Sequence, residues 1–197
     1  VYSIIMKSIQ VIQLINQWKS NCYLSNYSFD CPAHLIDDAL AKFQSDYNRW
    51  YEGVIDIKRL SLTPQLQTVL CYRIANNVYK NGGVADLYSL LGRVIGQIEI
   101  YYSSEIGEGF RINHGVGTVI GARAHIGDNF TIHQNCTIGD KNGGRPTIGN
   151  NVTMYAGSLI LGSIHIGDNS VIGANALVMS DFPSNAILVG TPAINKR

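Results

Sequence analysis

An aliphatic residue returns at every sixth position across residues 105–180. An amphipathic helix would repeat its apolar face every three or four residues and an ordinary strand every second residue, so neither element explains this period. The spacing instead predicts a parallel β-helix, a solenoid in which each coil contains three short strands. The repeated residues are Ile106 and Ile112, then Ile120, Ile126, Ile132 and Ile138, and then Ile148, Met154, Ile160, Ile166, Ile172 and Val178.

Glycine follows many of these aliphatic residues, for example at Gly107, Gly127 and Gly149. Because glycine adopts positive φ angles without steric cost, we expect these glycines to form the tight corners between strands. The residue four positions after the aliphatic one is small or β-branched in many repeats, as at Cys136 and Ala176. The pattern therefore predicts a narrow solenoid with sharp changes of direction.

The period of six is interrupted twice. Two residues are added within 112–120 and four within 138–148, so we expect the solenoid to bulge at these two places. Stacked coils lie about 4.8 Å apart, and residues at equal offsets in successive coils are therefore neighbours. This register places Asn113 beside His133 and predicts that His114 and His133 project from the same edge.

The first 96 residues follow a helical spacing instead. Thr63 followed by Pro64 is typical of a helix start, because proline suits the first helical position. The apolar positions and the start and stop signals predict four helices, over residues 3–19, 30–51, 64–81 and 84–96. In the first of these, the apolar side is expected to consist of Ile5, Ile9, Ile12 and Ile15.

These patterns divide the chain into three predicted parts. Residues 1–96 are expected to form a helical domain that packs on itself and on a partner subunit. Residues 97–180 are expected to form a β-helix of about four coils, and residues 181–197 a capping tail. The predicted fold class is therefore mixed α + β, with helices followed by a parallel solenoid.

Composition narrows the functional classes. The net charge of +1, with both signs mixed, gives no electrostatic reason to expect nucleic acid or an anionic membrane as partner. Residues 4–18 are too short and too interrupted by polar residues for a membrane span or a signal peptide, so we expect a cytoplasmic protein. The four cysteines lack metal-ligand spacing and are expected to be free thiols of a reducing compartment.

Several short segments add information beyond the bare period. They are Ile98-Glu99-Ile100, Ile106-Gly107-Glu108-Gly109, Asn113-His114-Gly115, Val119-Ile120-Gly121, Thr137-Ile138-Gly139, the loop from Lys141 to Pro146, Ala156-Gly157, Ile160-Leu161-Gly162, Ile172-Gly173-Ala174 and Gly190-Thr191-Pro192-Ala193. Over about residues 64–194 the chain resembles the serine acetyltransferase branch of the hexapeptide-repeat acyltransferases. The resemblance implies a left-handed β-helix, a homotrimer with active sites at the subunit interfaces, and helices able to join two trimers into a hexamer.

His114 is the candidate general base. Transfer of an acetyl group to a hydroxyl requires that hydroxyl to lose its proton while it attacks a thioester carbonyl, and imidazole is suited to accept that proton near neutral pH. The resemblance implies a carboxylate fifteen positions upstream that holds the histidine, and this position is Glu99, where the serine enzymes typically have Asp. His114 and Glu99 are therefore the predicted catalytic pair.

The acceptor is less clearly indicated than the reaction. Asn113 stands where the serine enzymes have an Asp, and the loop ending in Gly144-Arg145-Pro146 lacks the Asp and His of their Asp-Arg-His-Pro string. Arg145 remains a candidate for anion binding, and His133 for filling part of the gap. The combination of a Glu on the first strand, Glu99, with an uncharged residue before the catalytic histidine also resembles the colanic-acid-type exopolysaccharide acetyltransferases. The sequence therefore favours a sugar hydroxyl, of a surface polysaccharide or its precursor, over L-serine.

Acetyl-CoA is the acetyl donor that the resemblance implies. In this family CoA lies in the cleft between adjacent subunits, against small residues that let it approach the backbone. By position these residues are Gly139, Ala156, Gly162 and Ala174, and backbone N–H groups near Gly139 are candidates to stabilise the oxyanion. No P-loop or dinucleotide fingerprint competes for a nucleotide role, and no metal is expected.

Three alternatives stay open at this point. The first is a serine O-acetyltransferase of cysteine biosynthesis. The second is a scaffold that kept the fold and lost its chemistry, which the uncharged Asn113 and the missing loop residues would fit. The third is a metal-dependent lyase like those hexapeptide-repeat proteins that bind zinc through three histidines. His125 and His165 make it worth stating, although they occupy a different column from His114 and His133.

Overall fold

The computed structural model of the protein describes residues 2–197, and their side chains from residue 9 onward. Helices come first and a three-sided solenoid follows. The helices are α1 (Tyr2–Asn21), α2 (Ala33–Asn48), α3 (Ile57–Leu62), α4 (Pro64–Lys80) and α5 (Asp86–Gly96).

The short helix α3 is absent from the sequence prediction, although its cap is visible in the sequence. The Asp56 carboxylate accepts the backbone N–H groups of Lys58 and Arg59 at 2.8 and 3.2 Å, which starts the helix. Thr63, expected to cap α4 with its side chain, instead donates its hydroxyl to the Arg59 carbonyl of α3 at 2.8 Å. Thr63 therefore closes α3 as well as preceding α4.

The buried side of α1 also differs from the predicted one. Ile15 is buried as expected, but Ile9 is 52% exposed, and the side chain of Ile5 lies outside the described residues. The side that packs onto the rest of the protein is formed by Val11, Leu14, Ile15 and Trp18.

The solenoid is built from short strands that stack into three parallel sheets. Sheet 1 contains β1 (Glu99–Ile100), β4 (Val119–Ile120), β7 (Thr137–Gly139), β10 (Leu159–Leu161) and β13 (Leu177–Val178) in that order. Sheet 2 contains β2 (Glu105–Ile106), β5 (His125–Ile126), β8 (Thr147–Ile148) and β11 (His165–Ile166). Sheet 3 contains β3 (Arg111–Ile112), β6 (Thr131–Ile132), β9 (Thr153–Met154), β12 (Val171–Ile172), β14 (Ile187–Val189) and β15 (Ile194–Asn195).

The predicted register is the one observed. Ile100 pairs with Ile120, Ile106 with Ile126, and Ile112 with Ile132, so each coil stacks on the previous one at equal offsets. All twelve repeated aliphatic residues are buried, none more than 6% exposed. The period of six therefore marks the inward positions of the three sheets.

The glycines that follow these aliphatic residues serve a different purpose from the one predicted. Their φ angles are not positive. A Cβ at Gly127 would instead come within 2.8 Å of the Gly149 carbonyl carbon in the next coil, so the close stacking of coils excludes a side chain there. Positive φ occurs two residues later, at Asn129 and at its equivalents Asn151 and Asn169. At this corner the first coil has Gly109 with a positive φ, and the later coils have asparagines, whose side chains also bond to one another from coil to coil at 3.0 to 3.1 Å.

The solenoid continues into the segment predicted as a capping tail. Phe182 bridges to Ile166 of sheet 2, and β14 pairs in parallel with β12 of sheet 3, which adds most of a further coil after β13. The direction then reverses, because β15 pairs antiparallel with β14. The residues before this last strand also cover the end of the stack, since Gly190 accepts the Leu177 N–H at 3.0 Å and the Ala193 N–H donates to the Leu177 carbonyl at 2.8 Å.

At the other end, α2 and α4 cover the open edge of the first coil. Arg73 of α4 donates to both carboxylate oxygens of Asp46 at 2.7 and 2.8 Å, and to the carbonyls of Ile106 and Gly107 at 2.7 and 2.6 Å. Asp46 in turn accepts the Phe110 N–H at 2.7 Å. An edge strand would otherwise leave these backbone groups without partners, so a buried ion pair joins the helices to the solenoid.

One hydrophobic cluster runs from the helices through all the coils. The division at residue 96 coincides with the last helical residue, while the three-domain scheme itself stays a prediction. None of the helices in residues 2–96 has the length and hydrophobicity needed to span a bilayer.

Candidate active site

His114 lies at the corner between sheets 3 and 1, inside the first insertion. Its φ is +65°, a left-handed conformation, and its side chain is exposed. Gln65 of α4 donates its side-chain amide to the His114 carbonyl at 2.9 Å. Gly115 follows because a Cβ there would come within 2.5 Å of both Ile98 and Ile112. The corner is therefore held against the core on one side and by a helix on the other, while the imidazole faces outward.

Asn113 and His133 are neighbours, as the predicted register requires. The Asn113 side-chain nitrogen Nδ2 lies 3.3 Å from His133 Nε2, and the His133 ring lies 4.9 Å from that of Tyr155 in the next coil. Arg111 donates from Nε to Asn113 Oδ1 at 3.0 Å. These residues share the outer face of sheet 3 and form what we call the sheet 3 network, consisting of Arg111, Asn113 and His133.

The network fixes the protonation of His133. Arginine only donates, so Asn113 directs its oxygen to Arg111 and its NH₂ group to His133. His133 Nε2 must then accept, which leaves the proton of the neutral ring on Nδ1. Burial, followed by the nearby His114 and Arg111, holds the pKa of His133 below its usual value. Burial and these two neighbours therefore favour the neutral form of His133.

Glu99 is not in contact with His114 in the described chain. It lies on β1 beside Val119, and its carboxylate oxygen Oε2 is 3.3 Å from Nη1 of Arg93. Together with Val94, these residues line an open cavity of about 460 Å³ beside the His114 corner. The structure thus places Glu99 on the adjoining face and pairs it with an arginine that the sequence analysis did not consider.

Arg145 is engaged within its own loop. It forms an ion pair with Asp140 and donates to the carbonyls of Ala122 and Gly144 at 2.8 and 3.1 Å. The loop is the second insertion and lies at the corner between sheets 1 and 2, so Arg145 and His114 occupy different corners of the same chain. Asp140 compensates the charge that was predicted to bind an anion.

The four residues predicted to line the CoA site fall into two pairs. Gly139 and Gly162 are adjacent at the corner between sheets 1 and 2, where the Gly162 N–H donates to the Gly139 carbonyl at 3.1 Å. Ala156 and Ala174 lie in successive coils at the His114 corner. Sheet 1 separates the two pairs, which therefore lie at different corners of the same chain.

His125 and His165 lie on sheet 2, with Thr147 between them, on a face different from that of His114 and His133. Among the side chains of residues 9–197, no group of three or more His, Cys, Asp or Glu residues is arranged to hold a metal ion.

Similarity to known proteins decides the family. A model of the bacterial transferase hexapeptide (six repeats) matches residues 145–179. A serine acetyltransferase of Helicobacter pylori is 42% identical over 140 residues, which cover 68% of this chain and 82% of that protein. The chain belongs to the serine acetyltransferase family of hexapeptide-repeat transferases. A serine acetyltransferase of Staphylococcus epidermidis is 43% identical over 133 residues, covering 64% of this chain and 62% of the relative.

Solved structures of the serine acetyltransferase family have the same fold. The Neisseria gonorrhoeae enzyme superposes with a TM-score of 0.74 at 23% identity, over 96% of this chain and 78% of that one. The same enzyme in complex with serine gives a TM-score of 0.68 at 26% identity, over 83% and 70%. These matches confirm the predicted class of a helical region followed by a left-handed β-helix. Family membership makes the chain an acetyltransferase and leaves its acceptor to be identified.

Sequence reasoning missed three residues around the acetyltransferase's candidate base. Arg111 could have been found, because it lies two positions before Asn113 on a strand and so faces the same side. Gln134 shares the column of His114, and its oxygen Oε1 is buried without a hydrogen-bond partner among the described side chains. Gln65 gave no signal, because its contact with the corner joins residues 49 positions apart.

Proposed function

We propose that the protein transfers the acetyl group of acetyl-CoA to the hydroxyl of L-serine, with His114 as general base. The observation that carries this proposal is the 42% identity to a protein named serine acetyltransferase, over 82% of that protein's length. The exposed imidazole on a rigid corner supports it, since a general base must reach the proton of a bound hydroxyl.

The proposed reaction proceeds in two proton-coupled steps. The serine hydroxyl oxygen attacks the thioester carbonyl while an unprotonated nitrogen of His114 accepts its proton, and a tetrahedral oxyanion forms. The carbon–sulfur bond then breaks, the ester remains on serine, and the proton on His114 passes to the CoA thiolate. Backbone N–H groups near Gly139, in the proposed cleft, would stabilise the oxyanion.

Glu99 would orient His114 in this proposal. A carboxylate that accepts the second ring N–H fixes the tautomer and stabilises the imidazolium as it forms. Glu99 is paired with Arg93 on the protein surface, and a salt bridge between side chains about half exposed contributes roughly 0–1 kcal/mol. Glu99 can therefore exchange its partner Arg93 for His114 at a small cost in free energy.

A homotrimer completes the proposed site. The two small-residue pairs, Gly139 with Gly162 and Ala156 with Ala174, lie on opposite sides of sheet 1, so a cleft between two neighbouring solenoids brings one pair from each chain together. A third chain closes the ring, because the contact is head-to-tail. Joining of two trimers through the helices belongs to the same proposal.

A sugar hydroxyl is the second candidate acceptor. Asn113 and the neutral His133 supply no carboxylate for an ammonium group, which a free amino acid carries and a neutral sugar lacks. This observation favours a saccharide, while the family relatives favour L-serine.

Product analysis separates the two candidates. The protein is incubated with acetyl-CoA and either L-serine, a nucleotide sugar or an oligosaccharide, and the acetylated product is identified by mass spectrometry. We expect O-acetyl-L-serine to form fastest. Acetylation of a saccharide with none of L-serine would overturn the proposed acceptor, and native mass spectrometry of the same sample tests the trimer.

A further inference from the structure

Arg111 has a fixed position and an unused hydrogen-bonding edge. Its Nε donates to Asn113 and its Nη1 to the Arg49 carbonyl, both at 3.0 Å. The guanidinium carbon lies 4.9 Å from the ring centre of Trp50, at the end of α2. Nη2 has no hydrogen-bond partner among the side chains and backbone described. Three contacts therefore hold the guanidinium in place while three of its five N–H groups remain available, one on Nη1 and two on Nη2.

The charge of Arg111 is not compensated. Within residues 9–197 it forms no ion pair, and the neighbouring Arg49 bonds only to neutral oxygens, those of Gly109, Asn129 and Thr131, at 2.7 to 3.4 Å. Burial and then the charge of Arg111 lower the pKa of Arg49, while the charge of Asp46 acts in the opposite direction. Asp46 is nearby, but Arg73 occupies both of its oxygens. Within residues 9–197, therefore, no carboxylate forms an ion pair with either of these two arginines.

Asn113 connects this cation to the proposed base. It bonds to Arg111 through its oxygen and directly precedes His114 in the chain. A carboxylate at position 113 would pair with the guanidinium and cancel its charge, whereas the amide orients the guanidinium and leaves the charge intact. The uncharged residue that distinguishes this chain thus makes the surface beside His114 more positive.

We propose that Arg111 is a specificity-determining residue that binds an anionic group, a carboxylate, of the acceptor. This rests on the proposed function, in which the acceptor is L-serine and the carboxylate is its own. The same chemistry fits a uronic acid, in which a carboxylate also lies close to hydroxyl groups. A guanidinium held in a fixed position with free N–H groups can donate to a carboxylate, the group that arginine recognises through charge-assisted hydrogen bonds. Arg145, neutralised by Asp140, is not available for this task.

Steady-state kinetics with matched acceptors test the inference. In the native protein we expect L-serine to be a better acceptor than L-serinamide, which lacks the carboxylate. Arg111→Gln should raise the KM for L-serine by about 10- to 100-fold, as expected for loss of a hydrogen bond to a charged group. The turnover of L-serinamide and the KM for acetyl-CoA should stay within about twofold of their native values, since the neutral Gln side chain can still form hydrogen bonds and keep the packing of the network.

Three further variants keep the test decisive. Arg111→Lys retains the charge and loses the planar pair of N–H groups, so its KM should lie between those of the native and Gln forms. Asn113→Asp should raise the KM for L-serine relative to that for L-serinamide, because it neutralises Arg111 without removing it, while both acceptors carry the same ammonium group. Arg123→Asn is the control, since Arg123 is an exposed arginine in a left-handed conformation that Asn tolerates, and it should change neither KM.

The outcomes separate this inference from the proposed function. An unchanged KM for L-serine in Arg111→Gln, or equal use of serine and serinamide by the native protein, overturns the role of Arg111 alone. If that variant fails to fold, Asn113→Asp and the native comparison of serine with serinamide still test that role. Acetylation of a uronate-containing sugar, with the same loss in Arg111→Gln, overturns serine and upholds Arg111. Acetylation of neutral acceptors only overturns both.

Discussion

Two arginines in different parts of the molecule have opposite surroundings. Arg73, at the junction between helices and solenoid, is 3% exposed and donates to two carboxylate oxygens and two carbonyls. Arg111, beside the His114 corner, is partly exposed and bonds to an amide and a carbonyl. Each stacks on an aromatic ring, Tyr72 for Arg73 and Trp50 for Arg111, with guanidinium-to-ring distances of 5.4 and 4.9 Å. Both residues are arginines stacked on an aromatic ring, but only the charge of Arg73 is compensated by a carboxylate.

The difference separates a residue that supports the fold from one available for binding. A charge removed from water must be paired within the protein, or the fold loses several kcal/mol. The junction meets that demand, because Arg73 uses four of its five N–H groups within the protein and is buried from solvent. The corner lies partly in water, where an uncompensated cation is tolerated. Substitutions at the junction should therefore reduce stability, and substitutions at the corner should reduce activity.

The largest effect is expected at His114. His114→Asn removes the general base and keeps a residue that tolerates the left-handed φ of +65°. The rate of acetyl transfer should fall by about 10²- to 10⁴-fold, with thermal stability unchanged. His125→Asn, an exposed histidine on sheet 2, is the control and should retain full activity. Native-like turnover by His114→Asn would show that another group accepts the proton.

At the junction, Asp46→Asn should destabilise the protein by about 3–5 kcal/mol, because it leaves the buried Arg73 without a counter-charge. Glu105→Gln makes the matched change in the exposed pair with Lys80 and should cost less than about 1 kcal/mol. Urea unfolding at fixed protein concentration measures both, since assembly makes apparent stability depend on concentration. Equal losses of unfolding free energy in the two variants would show that the buried and the exposed ion pair contribute equally to stability.

A smaller effect is expected at Gly139, on the opposite edge of sheet 1. A Cβ there would lie 3.5 Å from Leu161 and Thr137, an ordinary contact, so Gly139→Ala should fold normally. If CoA passes close to the backbone at this position, the added methyl group should overpack the cleft and raise the KM for acetyl-CoA by roughly 10-fold. That change corresponds to a loss of about 1.4 kcal/mol in binding free energy. The KM for the acceptor should not change. A native KM for acetyl-CoA would place CoA elsewhere on the solenoid.

The periodic part of the fold follows from the sequence because its residues contact partners at fixed offsets. Ile106, Ile126 and Ile148 could be assigned to one sheet from spacing alone, and Asn113 to His133 by the same rule. The role of Gly127 could not be assigned from spacing, because a tight corner and a close contact between coils both require glycine. The spacing indicated a small residue without saying which constraint applied.

The sequence predicted the site residues that lie at fixed offsets in the repeat. It missed the contacts that the helices make with them. Arg111 is fixed by Arg49 and Trp50, about 60 positions earlier, and no period relates these segments. Arg145 could be identified as a cation, but its neutralisation by Asp140 depends on the conformation of an irregular loop. Long-range side-chain pairing is the part that the residue pattern does not encode.

The smallest effect concerns the pKa of His133, and it measures how closely the network is connected to the base. Its pKa lies below the ordinary 6.5 because of burial first, then His114 and Arg111. Arg111→Gln removes a nearby positive charge, and His114→Asn removes the imidazole that lowers this pKa after burial. Each should therefore raise the pKa of His133 in an NMR titration, while His125→Asn should leave it unchanged. The folded chain binds this proton less tightly than the unfolded chain, so His133 makes the fold less stable as pH falls below about 6.5. Protonation also removes the acceptor for Asn113, so the KM for L-serine should change over the same pH range. A pKa that ignored both substitutions would separate His133 from the His114 corner.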